Sequence, residues 1–94
     1  MHKTFEWNTA KNLKNIQKHG IDFIDAQNVF FDKKKVYAID KRHSKIEKRY
    51  FCFGKVRGGV MTVRFTYRGK NIRIIGAGYW RKGKKAYEEK NKIH

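Results

Sequence analysis

In 94 residues the chain carries 24 Lys and Arg against 8 Asp and Glu, a formal charge of +16, with 15% aromatic and 39% hydrophobic residues. That length suits a single domain over residues 1–94 and excludes two separate cores, while the aromatic and branched aliphatic content excludes a disordered basic tail. The single cysteine, Cys52, excludes an internal disulfide and has no partners for a metal cluster; it reads as a small apolar strand residue in a reducing compartment.

Phe5 and Trp7 open the chain as a short apolar strand, and Asn8 and Thr9 then offer N-cap oxygens. Ala10, Leu13 and Ile16 recur at helical spacing over residues 9–19 with Lys11, Lys14 and Lys18 on the other side, and Gly20 supplies a left-handed stop. Asp22 caps a second short helix whose stripe of Phe23, Ala26, Val29 and Phe30 is expected to pack on the first. From Val36 the pattern becomes β-rich: 36–39, then 46–56, 59–68 and 71–77, with glycine-bearing separators at 57–59 and 69–70 that favour antiparallel hairpins. The final segment suits a helix, weakened at Gly83 by about 1 kcal/mol relative to alanine. Strand, two helices, four strands and a helix make an α+β fold with helices packed on one face of a mostly antiparallel four-stranded sheet.

So one-signed a surface repels itself unless a polyanion lies against it, and nucleic acid, whose phosphates release counterions to Lys and Arg, fits best. No apolar run is long enough to cross a bilayer, and the opening MHKTFEWN has no signal-peptide core. A cytoplasmic protein with no membrane partner is expected. Tyr67, Trp80 and Tyr87 are flanked by Arg68, Lys70, Arg81, Lys82, Lys84 and Lys85, which with Lys14 are the RNA-binding candidates. Stacking on an unpaired base contributes about 1–3 kcal/mol and favours single-stranded RNA. Trp80, at a strand–helix junction, reads as core. DNA binding by the chain itself lacks a recognition helix.

Along residues 59–68, Met61, Val63, Phe65 and Tyr67 point toward the core while Val60, Thr62, Arg64, Thr66 and Arg68 face water. Alternation allows Arg49, Arg64 and Arg73 to converge beside Glu47, or to be ordinary solvated strand residues, since a one-residue slip inverts each face. A convergent patch permits RNA cleavage without a metal. The 2′-hydroxyl is the nucleophile, and the protein supplies a base, cations for the phosphate and an acid for the leaving oxygen. No H-E-x-x-H motif or cysteine pair points to a metal or other cofactor. Of the histidines, His2 and His94 lie at the chain ends and His43 in a polar loop. His19 ends a helix, where the macrodipole favours imidazolium, and either capping or catalysis suits it.

F-E-W-N at 5–8, K-x-x-x-N-x-x-K-H-G-I-x-F at 11–23, A-x-x-V-F-x-D at 26–32, H-S-x-x-E-x-R at 43–49, Gly54, Y-R-G at 67–69, I-R-I-I-x-A at 72–77 and Tyr87 together resemble the BrnT family of ribonuclease toxins. The resemblance implies a RelE-like fold, mRNA cleavage that halts translation, and an acidic BrnA-type antitoxin that silences the toxin. It also implies operator DNA binding only through the toxin–antitoxin complex. It marks Lys18, His19, Glu47, Arg49, Tyr67, Arg73 and Tyr87 as the polar positions; Arg64 joins them from the strand-face reading. Glu47 or His19 is the candidate base, and Tyr67 or Tyr87 would position the base or assist the leaving group. Two departures matter: Gly76 and Gly78 stand where the family usually has Ser and Arg, and Asn8 stands for Asp. They leave open a non-catalytic relative that keeps RNA or antitoxin binding.

Overall fold

A computed structural model describes residues 4–92, so His2 and His94 lie outside the described residues. The elements are β1 (Thr4–Trp7), α1 (Thr9–His19), α2 (Phe23–Ala26) running into a 3-10 turn (Gln27–Phe31), β2 (Val36–Ile39), β3 (Tyr50–Val56), β4 (Gly59–Arg68), β5 (Asn71–Gly78) and α3 (Arg81–Lys90). The α+β class and the element order stand. The sheet, however, has five strands in the order β1-β5-β4-β3-β2, because β1 adds to β5 in parallel while every other pairing is antiparallel. Helices cover both faces instead of one. Phe23, Ala26, Val29 and Phe30 fill one side together with Val63, Phe65 and Ile74, and α3 packs on the other through Tyr87, Phe53 and Val60.

The first hairpin turns on Arg57 and Gly58, both at positive φ (53° and 82°). This is the pairing a two-residue turn needs to match the right-handed twist of its strands. Upstream, β3 begins only at Tyr50, four residues later than the β-rich run suggests. Ser44 Oγ accepts from the Arg49 amide and donates to Asp40 O, so side-chain bonds take the backbone groups that a longer ladder would use. Cys52 sits buried in the core of the β3 strand.

The stripe on α2 and the 3-10 turn is buried as expected, but against the sheet and not against α1. The first helix itself is turned inside out. Leu13 is 57% exposed and Ile16 also faces out, while the polar residues Asn12 and Asn15 face in. Asn15 Nδ2 donates to Ile21 O and Ala77 O (both 3.0 Å), and its Oδ1 accepts from the Ala77 amide (3.1 Å). Asn12 binds the Asp22 carboxylate and the Phe23 amide in the same way. The reason is the short β1, which pairs only with residues 71–74 and leaves the backbone of β5 beyond Ile74 at an open edge. An open edge needs donors and acceptors more than hydrocarbon, and a side-chain amide supplies both.

Between Arg64 and Phe65 the β4–β5 register shifts: Arg64 pairs with Gly76 and Phe65 with Ile74, leaving Ile75 as an extra residue. Such a bulge inverts the facing of everything after it. Ala77 therefore turns into the core, and Gly76 and Gly78 come to lie opposite Arg64 and Thr62.

Asn15→Ala is expected to lower unfolding stability by about 2–4 kcal/mol, since it strips partners from buried backbone groups. Leu13→Ser should change it by less than about 0.5 kcal/mol. Chemical denaturation of the two variants checks the inverted helix; equal losses would refute it.

Candidate active site

The face of the sheet that carries α3 is only half covered. Toward Gly59, Val60 and Thr62 are buried under α3 and are not open to water as the alternation suggests. Toward Arg68 the same face is uncovered, and there the register gathers the guanidinium groups. Arg64 and Thr66 are neighbours on that side of β4, and Thr66 pairs with Arg73. Continuing the β3–β4 register one residue past Tyr50–Phe65 sets Arg49 against Thr66, a placement reinforced by the Thr66 hydroxyl donating to Lys48 O (2.7 Å). Arg49, Arg64 and Arg73 thus share one surface.

A carboxylate holds each of them. Glu6, delivered by β1 opposite Arg73, accepts from Arg73 (2.7 Å) and from Asn71 (2.9 Å), and the bonds from Asn71 and Arg73 keep its carboxyl below the usual range. Glu47 lies 3.7 Å from both Arg49 and Arg68. Asp40, 3% exposed, lies 3.7 Å from Arg64 Nε and 2.9 Å from His43 Nδ1. Arg49 Nε is buried without a hydrogen-bond partner, a costly state that marks a guanidinium fixed by its surroundings more than by its own bonds.

His43, which its sequence context places in a polar loop without a catalytic role, stands beside these groups. The loop is wound so that Asp40 holds its Nδ1 at 2.9 Å while the side chain stays 47% exposed, an arrangement that can orient an imidazole for proton transfer. The D-x-x-H spacing at 40–43, just ahead of Glu47 and Arg49, is the signal that was there to find.

Other expected residues lie elsewhere. Tyr67 belongs to the opposite face of β4, 51% exposed and edge-on to Tyr50 and Phe65. Tyr87 is a core residue of α3, 2% exposed, its hydroxyl donating to Asp32 Oδ2 (2.7 Å); it does not meet the arginines. Lys14, Lys18 and His19 remain exposed on α1, and the His19 ring meets Trp80 edge-on at 5.1 Å. Trp80, expected in the core, is 42% exposed. Arg68 and Lys70 are exposed at the β4–β5 hairpin, and Arg81, Lys82, Lys84 and Lys85 are exposed on α3, whose first turn holds no acidic residue.

Fold and face together define a small basic α+β protein with three guanidinium groups on one partly open face and a histidine and carboxylates beside them. A family model described as "ribonuclease toxin, BrnT, of type II toxin-antitoxin system" matches residues 7–83, more than half of the chain, and the chain belongs to that family. A ribonuclease toxin's activity and an antitoxin partner follow at the level of the family. No curated protein matches the chain. Among the described residues no helix is long and apolar enough to cross a membrane.

Away from the arginines, the buried Tyr87–Asp32 pair gives the fold a pH signature. Burial, then the bond to Asp32, push the Tyr87 hydroxyl up to about 12. Burial raises Asp32 too, but bonds from the Lys55 amide, Tyr87 and the Lys34 amide outweigh it and hold the carboxyl below its ordinary value. A raised tyrosine stabilises the fold fully below its unfolded value of 10.0 and loses that contribution as the pH climbs toward about 12. The lowered Asp32 stabilises above its unfolded value of 3.8 and loses its share as the pH falls below it. Thermal melts of wild type and Tyr87→Phe should therefore converge between pH 10 and 12, and a constant gap across that window would refute the assignment.

Proposed function

We propose that the chain is a metal-independent endoribonuclease toxin that cleaves mRNA by attack of the 2′-hydroxyl, and so stops translation. The observation that carries this reading is the gathering of Arg49, Arg64 and Arg73 on one open surface beside Glu47 and the Asp40–His43 pair. Glu47 takes the proton of the 2′-hydroxyl. The 2′-oxygen bonds to phosphorus, the bond from phosphorus to the 5′-oxygen breaks, and protonated His43 gives its Nε2 proton to the departing oxygen. The products are a 2′,3′-cyclic phosphate and a 5′-hydroxyl. Charge building on the non-bridging oxygens is met by three guanidinium groups already fixed by Glu6, Glu47 and Asp40, so little reorganisation is needed as the charge develops. Asp40 holds the imidazole in place through Nδ1.

The antitoxin in this reading is an acidic, BrnA-type protein, matched to a surface of +16. The pair binds operator DNA through the antitoxin, and the toxin acts in the cytoplasm, where mRNA is found. A second reading is favoured by Gly76 and Gly78: the strand opposite Arg64 and Thr62 presents no side chain where the family usually has Ser and Arg, which suits a relative that binds RNA without cutting it.

Purified, antitoxin-free protein in EDTA is expected to cut single-stranded RNA, leaving cyclic phosphate ends detectable by mass, and to spare an oligonucleotide with a 2′-deoxyribose at the cut site. Glu47→Gln and His43→Gln should each reduce kcat/KM by about 10²–10⁴-fold, and Arg64→Ala by about 10²–10³-fold. Intact RNA at high protein concentration, with binding retained, would establish the second reading. Activity that returns only with added magnesium would overturn metal independence.

A further inference from the structure

Where α3 leaves the sheet, next to Arg64, a cleft of about 400 Å³ opens along the same face. Phe51, Phe53 and Trp80 line it with aromatic surface, Arg64 and Lys82 stand among its lining residues as cations, and Thr62 lies with them. The Thr62 hydroxyl is buried against Gly83, so Arg64 and Lys82 are the polar groups that an otherwise mainly apolar lining presents. The volume falls at the lower end of the range for small-molecule sites, about 300–1,000 Å³.

Trp80 owes its position to Gly78. A Cβ at residue 78 would lie 2.5–2.8 Å from three atoms of the indole six-membered ring, closer than carbon atoms pack. The ring therefore occupies the space that any side chain at 78 would need, and the His19 ring meets it edge-on. An apolar, ring-sized slot that begins at a phosphate-binding arginine and includes a lysine selects a planar group bearing an anion.

We infer that this cleft is a nucleobase subsite: one unstacked base of single-stranded RNA lies against Trp80 while the phosphate next to it meets Arg64. The inference rests on the ribonuclease reading above and deepens it, since it assigns sequence or base preference to the Gly78–Trp80 pair. It also gives the loss of a side chain at residue 78 a positive role. An arginine there would drive the indole out of the slot, so the position carries either a phosphate ligand or an aromatic wall, and this chain has the wall.

The test compares a labelled single-stranded oligoribonucleotide with an abasic ribose-phosphate oligomer of the same length and charge, by fluorescence anisotropy at fixed salt. Wild type should bind the base-bearing strand at least about tenfold more tightly. Trp80→Ala should lose most of that margin and leave the abasic affinity unchanged, Trp80→Phe should keep most of it, and Gly78→Ala should resemble Trp80→Ala because its Cβ collides with the ring. In unaltered protein, tryptophan emission should be quenched by the RNA and not by the abasic strand, with the quenching absent from Trp80→Phe; this readout needs no destabilised variant. Equal affinity for the two strands in wild type, or unchanged discrimination in Trp80→Ala, would overturn the nucleobase subsite and leave the ribonuclease reading standing. Loss of antitoxin binding in Trp80→Ala with RNA discrimination intact would reassign the cleft to the protein partner. Wild type that neither binds nor cuts RNA would overturn both readings together.

Discussion

The ion pairs between scarce carboxylates and abundant guanidinium groups are the interaction on which the rest of the molecule depends. With 24 basic and 8 acidic residues, repulsion opposes any compact state. Six of those eight carboxylates each hold something specific: Asp22 caps α2, Asp25 pairs with Arg57, Asp32 takes the Tyr87 hydroxyl, and Glu6, Asp40 and Glu47 fix Arg73, Arg64 and Arg49. The last three turn what would be a diffuse positive surface into an oriented one. They leave the cationic excess in place while giving each guanidinium a nearby counter-charge, by a hydrogen bond at Arg73 and at 3.7 Å at Arg49 and Arg64. Such orientation favours a charged site that stabilises charge developing in a bound phosphate.

That oriented surface exists because α3 covers only half of its face. Gly83 sets the helix low on the sheet, where a side chain would collide with Thr62 Oγ1 and strike the Phe53 ring. A residue that lowers helix propensity thus brings the helix into close contact. The covered half is apolar and anchored by Tyr87; the open half carries the arginines, and the cleft lies between them. The chemistry proposed for phosphate and the recognition proposed for a base are neighbours because a single helix edge separates hydrocarbon from charge.

Several features were legible along the chain because they depend on near neighbours. The α2 stripe, the turn at 57–58 and the helix stop at Gly20 (φ 69°) all follow from local patterns and lie where those patterns put them. The α1 orientation was not legible. Ala10, Leu13 and Ile16 make a convincing apolar stripe, yet the helix docks on the backbone edge of β5, and what an edge requires is an amide such as Asn15. Whether a helix meets a sheet face or a strand edge is settled by elements far away in sequence, here by β5, whose edge beyond Ile74 the short β1 leaves open.

The candidate site divides along the same line. Composition by itself determined that the chain carries a large cationic excess, and alternation in β4 put Arg64 away from the core, because charge and side-chain facing are additive properties of short segments. Only the tertiary structure decided which arginines meet. The bulge at Ile75 reset the facing of Gly76 and Gly78, the wound loop at 40–49 brought Asp40, with His43 bound to it, to Arg64, and α3 buried Tyr87 while leaving Trp80 exposed. Register shifts and loop closures are set by the summed energy of many distant contacts, and no short stretch of sequence contains that sum.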